Sequence, residues 1–370
     1  MVVDSVAGAR LGLLAACLLA AVGQTVFALE LGQSCTNPRG ESGQCILFRD
    51  CPPLVAIFGK PVPTPDDTQF LEDSRCGKLE RKTLVCCPGV APPPPSSSGS
   101  SVLPTAPQCG IQLTDRIHGG QPTEIDEFPW AVLIEYEKPN GRFGFHCGGS
   151  LINERYVLTA AHCISSIPRN WKVHRVRLGE WDLSSDRDCN ADGDCNVAPI
   201  DMDIEKIVVH SGYDTQDKNH LNDIALIRMA RNVDYSESVR AICLPLSNTA
   251  IKTNHVGTSS LAAGWGKTES ASASQKKLKV ELTVKSLQEC SSVYQRNGIF
   301  LKSTQLCAGG LKGKDTCSGD SGGPLMRQFA GAWYLIAVVS FGPSKCGTAD
   351  VPGVYTDVAK FADWIRENVY

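Results

Sequence analysis

From Ile117 to its end the chain predicts an all-β barrel or sandwich closed by a single helix. Two observations carry this. Trp130–Ile134, Tyr156–Thr159, Ile224–Ile227 and Trp333–Val339 are short β-rich apolar runs separated by turn-rich segments, with no helical pattern between them. The exception is Thr356 to Val369, where Val358, Phe361, Trp364 and Ile365 recur at helical spacing between polar residues, so a terminal amphipathic helix is expected. A third observation sets the amino-terminal part aside. Six cysteines crowd into the stretch from Cys35 to Cys87, which reads as a small stapled module.

Near its start the chain carries Arg10 followed by the apolar run Leu11 to Val22 and then small residues. That run is too short to span a bilayer and fits a secretory leader. Residues 1–28 are expected to be a signal peptide, cut after Ala28 in preference to Gly23. The sequence holds 17 cysteines, and such usage behind a leader means an oxidising, extracellular compartment. Cys17 leaves with the leader, so an even number stays. The net charge of −3 gives no basis for a nucleic-acid or membrane partner.

Residues 29–87 hold Cys35, Cys45, Cys51, Cys76, Cys86 and Cys87. So short a stretch cannot bury enough apolar area to fold unaided. Three internal disulfides fit, each contributing about 2–4 kcal/mol; spacing does not choose among their pairings. Zinc is disfavoured, because the stretch has no histidine. Residues 88–116 follow as a linker. Its Pro92–Pro95 and Ser96–Ser101 blocks favour extended and flexible backbone open to proteases.

The chemistry concentrates in Lys314 to Leu325, Lys-Asp-Thr-Cys-Ser-Gly-Asp-Ser-Gly-Gly-Pro-Leu. Three glycines and a proline make it a loop. A serine nucleophile needs close backbone approach and N–H groups aimed at a reacting carbonyl, which glycine allows. Ser321 is the candidate. His162 follows one apolar strand and Asp223 begins another. Taken alone, that histidine reads as structural and that aspartate as a turn residue.

Together they resemble the chymotrypsin-fold serine proteases of the trypsin family. The matching motifs are Thr159-Ala-Ala-His-Cys163, Asp223-Ile-Ala-Leu226 and Gly319-Asp-Ser-Gly-Gly-Pro324. Arg116-Ile-His-Gly-Gly120, Cys147-Gly-Gly-Ser-Leu-Ile152, Gly264-Trp-Gly266 and Pro352-Gly-Val-Tyr355 support them. The resemblance covers residues 117–370. It implies two six-stranded antiparallel barrels with the site between them. Ser321 then attacks a carbonyl, His162 moves the proton and Asp223 orients the imidazole. Gly319 and Ser321 supply the oxyanion hole, and no cofactor is required for catalysis. Ser340 matches the serine that supports the aspartate.

The resemblance also implies specificity. Asp315 falls at the base of the primary pocket and selects arginine or lysine. Gly342 and Gly353 match its walls. Thr316 stands where serine or alanine is usual, and its methyl narrows the pocket in favour of arginine. Phe341 replaces the usual tryptophan, and Ser260 and Arg327 stand where many relatives carry a disulfide. Arg116–Ile117 is the expected activation bond. Its new N-terminus would pair with Asp320, so the activator is itself trypsin-like.

Family resemblance pairs Cys147 with Cys163, Cys290 with Cys307, Cys317 with Cys346, and Cys109 with Cys243. Cys189 and Cys195 remain and are expected to close a short surface loop. The amino-terminal module resembles a clip domain, ending in its adjacent Cys86 and Cys87. That likeness implies the pairs Cys35–Cys86, Cys45–Cys76 and Cys51–Cys87. Clip-domain serine proteases are arthropod haemolymph enzymes of melanisation and of Toll-ligand processing. The resemblance therefore implies as substrate a prophenoloxidase, a cytokine precursor or a downstream protease zymogen, and a serpin as inhibitor. A catalytically dead homologue acting as scaffold is the alternative, although all three triad positions are filled. The acidic loop Glu180 to Cys195 is a candidate structural calcium site, with Glu180, Asp182 and Asp188 as ligands.

Overall fold

The computed structural model describes residues 29, 31–48, 51, 53–54, 57, 64–79, 82–89, 103–112, 122–190, 193, 195–246, 254–268, 271, 273–313, 315–343 and 345–370. The expected signal peptide, most of the expected linker and the Arg116–Ile117 bond lie outside the described residues. The chain divides into two compact units, 1–99 and 100–370.

In the first unit β1 (Ser34–Thr36), β2 (Ser42–Leu47), β3 (Arg75–Leu79) and β4 (Lys82–Pro88) make a sheet of order β1-β2-β4-β3. Helix α1 (Pro65–Asp73) precedes β3. Pro65 at its first turn and a Thr64–Asp67 capping box fix its start. Phe70 turns inward with Leu54 and Val85 beside Cys51 and Cys87. So small a core is held by Cys35–Cys86, Cys45–Cys76 and Cys51–Cys87.

The second unit holds two closed antiparallel barrels, each of six strands. The first runs β10-β7-β6-β5-β8-β9. Its strands are β5 (Ala131–Lys138), β6 (Arg142–Leu151), β7 (Tyr156–Thr159), β8 (Lys172–Leu178), β9 (Ile200–Val209) and β10 (Ala225–Met229). The second runs β11-β12-β13-β16-β15-β14, built from β11 (Ser259–Gly264), β12 (Leu278–Lys285), β13 (Gln305–Gly309), β14 (Pro324–Phe329), β15 (Ala332–Phe341) and β16 (Pro352–Asp357). The expected apolar runs fall in β5, β7, β10 and β15. One apolar core crosses from barrel to barrel, with Phe128 and Trp130 against Trp333.

Three helices depart from the sequence expectation. Thr356 and Asp357 finish β16 instead of opening the terminal helix, because β16 is paired with both β13 and β15. Asp357 then caps a 3₁₀ turn, Val358–Phe361, and the α-helix α4 spans Ala362–Asn368. The apolar stripe still docks, with Val358 and Ile365 fully buried. Helix α3 (Leu287–Tyr294) interrupts the β pattern, and α1 does so in the first unit. Both carry capping boxes, Ser286–Glu289 and Thr64–Asp67. That signal was readable but was hidden by the weak apolar stripes of such short helices. Among the described residues no helix is long and apolar enough to cross a membrane.

Candidate active site

The three triad side chains sit just outside barrel strands, and Ser340 and Thr356 support them from within β15 and β16. His162 opens the short helix α2 (His162–Ser165) directly after β7, and Asp223 precedes β10. The pairing of β7 with β10 puts Ala225 opposite Thr159, which brings the two residues together. His162 Nδ1 lies 2.8 Å from Asp223 Oδ2, and the His162 backbone N–H donates to Asp223 Oδ1 at 2.8 Å. Ser340 donates its hydroxyl to the same carboxylate, and Thr356 Oγ1 donates to the Asp223 carbonyl at 2.8 Å. Burial alone would raise the Asp223 carboxyl. The His162 charge and the bonds from His162 and Ser340 outweigh it and hold the group below the usual carboxylate range. An ionised Asp223 on Nδ1 leaves Nε2 as the basic nitrogen.

Ser321 lies on the loop between β13 and β14. Its carbonyl accepts the Gly148 N–H at 2.8 Å, and Gly322 N–H donates to Val339 at 2.8 Å. Gly322 has φ +77°, and a Cβ there would meet Thr159 Oγ1 at 2.2 Å and the Gly148 carbonyl at 2.5 Å. Only glycine lets this loop lie against both barrels. Gly319 has φ +103°, again outside ordinary side-chain territory.

A cavity of about 650 Å³ in the second barrel takes in Asp315, Thr316, Asp320 and Lys279, and Ser321 is not part of its lining. Asp315 Oδ1 is buried without a partner, while Oδ2 accepts the Gly347 N–H at 3.3 Å. Burial pushes this carboxyl up to about 6. Gly353 flanks it, since a Cβ there would sit 3.2 Å from Asp315 Oδ1, and Gly342 faces Gly353. Thr316 shares its hydroxyl with Tyr355 at 3.0 Å. Asp320 accepts from Gly266 and from Cys317, both at 2.9 Å. Burial pushes it up to about 6 as well.

The disulfides of this unit are Cys109–Cys243, Cys147–Cys163, Cys189–Cys195, Cys290–Cys307 and Cys317–Cys346. Cys147 and Cys163 converge on His162, but in disulfide form they offer no thiolate to a metal.

The acidic loop brings two of its three candidate ligands together. Glu180 and Asp188 are buried and both accept the Trp181 N–H. Burial and the Asp188 charge push Glu180 up to about 7, although Arg177 lies 3.3 Å away. Two crowded buried carboxylates fit a divalent cation. Asp182 turns away to Ser184 and pairs with Lys276 at 3.6 Å.

Sequence reasoning missed several neighbours. His220, at φ +48°, stacks on Phe341 with ring centroids 4.9 Å apart and lies 6.4 Å from the His162 ring. Lys279 pairs in the core with Glu127. Neither carries a local pattern, because the partners come from segments distant in sequence.

Comparison with known proteins gives this geometry its family. The trypsin family model matches residues 117–365, and the model for the regulatory CLIP domain of proteinases matches residues 35–87. CLIP domain-containing serine protease B4 of Anopheles gambiae is 69% identical, over 97% of this chain and 98% of its own length. Melanization protease 1 of Drosophila melanogaster is 39% identical, over 93% and 95%. The crystal structure of the Drosophila Grass clip serine protease of the Toll pathway superposes with a TM-score of 0.62 at 30% identity, covering 91% of this chain and 97% of that one. The chain therefore belongs to the clip-domain serine proteases, trypsin-like serine endopeptidases that carry a regulatory CLIP domain.

Proposed function

We propose that this chain is a secreted zymogen, activated by cleavage after Arg116, that cuts protein substrates after arginine in an extracellular immune cascade. The observation that carries the specificity is Asp315, whose buried Oδ1 has no hydrogen-bond partner among the described residues. A guanidinium satisfies such an oxygen and cancels its burial cost. Ser321 then attacks the carbonyl after that arginine, with His162 Nε2 taking the proton and later giving it to the leaving amine. The Gly319 and Ser321 N–H groups hold the oxyanion.

Latency rests on Asp320. Among the described residues its carboxylate has only N–H donors, from Gly266 and Cys317. A free ammonium at Ile117 supplies the missing charge, and the resulting ion pair reorders the loop that carries Gly319. The activator is a second trypsin-like protease and the natural inhibitor a serpin. Melanization and Toll functions named for the relatives point to a prophenoloxidase, a cytokine precursor or a downstream zymogen as substrate. Glu180 and Asp188 would hold a structural calcium whose charge offsets their mutual repulsion; Asp182 is no longer part of that set.

Arg116→Ala tests the reading. The secreted variant should show no amidase activity, whereas the wild type cut after Arg116 should turn over arginine amides and process one of these precursors. Full activity from the uncut variant would overturn it.

A further inference from the structure

Lys138 ends β5 and Arg142 begins β6, and the two are paired across the hairpin. Strand alternation puts Tyr136, Lys138, Arg142 and Gly144 on one face, opposite Glu135, Glu137, Phe143 and Phe145. The register shift between Ile134 and Glu135 leaves His146 outside the ladder. Its ring lies 5.7 Å from Tyr136 and 4.5 Å from Trp171. Lys138 Nζ lies 4.9 Å over the Trp171 ring. A Cβ on Gly144 would come within 2.8 Å of that nitrogen, so the missing side chain is what lets the ammonium lie flat on the sheet.

This face is a shelf of aromatic rings carrying two cations and no acid. Glu135 is spent on Arg175 at 2.6 Å, on the other face. Among the described residues neither Lys138 nor Arg142 makes an ion pair. Burial and then the Lys138 charge lower the His146 imidazole, so at neutral pH the charge of the shelf comes from the lysine and the arginine. A desolvated cation over an aromatic face is held firmly in position.

The shelf runs directly to the catalytic residues. Tyr136 donates its hydroxyl to the Cys163 carbonyl at 2.9 Å, and Cys163 follows His162. His146 precedes Cys147, and Gly148 N–H holds the Ser321 carbonyl. Ser321 therefore sits between β6 on one side and the pocket strand β15 on the other. On that reading the arginine before the cut bond goes to Asp315, beside Gly353 of β16 in the second barrel, so the residues after the bond pass over β6 of the first.

We propose that Lys138, with Arg142 beside it, binds an acidic side chain of the substrate on the carboxy-terminal side of the scissile bond. This rests on reading the chain as an arginine-cutting endopeptidase. It narrows the substrate class to proteins with aspartate or glutamate shortly after the cleaved arginine.

The test uses the enzyme cut after Arg116 and two quenched fluorogenic peptides. They are identical up to the scissile arginine and carry either an Asp/Glu run or a Gln/Asn run after it. A peptidyl-arginine amide with no residue beyond the bond monitors the triad in every preparation, and rates are normalised to it. The acidic peptide should show a kcat/KM about tenfold higher at low salt. That advantage should vanish in Lys138→Gln, shrink in Arg142→Gln, and disappear at about 1 M salt, where the Debye length is about 3 Å. Equal rates on the two peptides, or a preference that survives Lys138→Gln, would overturn the proposal while the protease reading stands. Failure to cut the amide would overturn both.

Discussion

The backbone N–H of Gly266 donates to Asp320 Oδ1 at 2.9 Å, with nothing between glycine and carboxylate. A Cβ on Gly266 would meet Asp320 Oδ2 at 2.3 Å and Cγ at 2.4 Å. Gly266→Ala should therefore displace the residue proposed to answer the new N-terminus. The variant should fold and be cut after Arg116, yet lose about 10²-fold in active-site titration and turnover, the scale of one lost oxyanion donor. Undiminished activity would show that Asp320 tolerates the crowding.

Asp315 must be ionised to hold a cation, and burial sets it at about 6 in the empty pocket. Benzamidine affinity should be flat from pH 8 to about 6.5 and then fall about tenfold per pH unit further down. Asp315→Asn should bind weakly with no such dependence. A wild-type affinity unchanged at pH 5 would contradict the assignment of this carboxylate to the pocket base.

Glu180, at about 7, stands above its unfolded value of 4.5. A raised carboxyl means that ionising it costs stability as pH rises through that window. The proposed calcium between Glu180 and Asp188 would relieve the cost and would need the ionised form. Calcium should raise the melting temperature more at pH 8 than at pH 5.5, and Glu180→Gln should abolish the difference. Identical melting with calcium or chelator at both pH values would remove the site.

Lys279 Nζ reaches both Glu127 oxygens, at 2.6 and 2.8 Å, with the side chains 4% and 0% exposed. Glu127→Ala removes the carboxylate that faces a buried cation and should cost about 3–5 kcal/mol in denaturant unfolding. Pairing it with Lys279→Met should recover most of that loss, since a well-packed apolar pair often replaces a buried ion pair at little cost.

Cys109 and Cys243 are joined across 134 residues. After cleavage at Arg116 the amino-terminal part should stay attached on a non-reducing gel and separate on reduction. Cys109→Ser should release it without reductant. Separation of the wild type under non-reducing conditions would contradict the tether.

Local pattern by itself determined the all-β class, the position of the nucleophile loop and the presence of a stapled amino-terminal module. Short β-rich apolar runs and glycine-rich turns are written within a few residues, so they can be read without knowing what lies opposite. The short helices α1 and α3 were legible only in their capping boxes, because each buries just a residue or two. Which side chains meet was another matter. Asp223 receives hydrogen bonds from three separate segments, at His162, Ser340 and Thr356. The vacant oxygen of Asp315, the turning away of Asp182, the Glu127–Lys279 pair and the Lys138–Trp171 shelf depend in the same way on strand pairing and barrel closure. These contacts join residues far apart in sequence, and their burial and electrostatics exist only once the two sheets have closed.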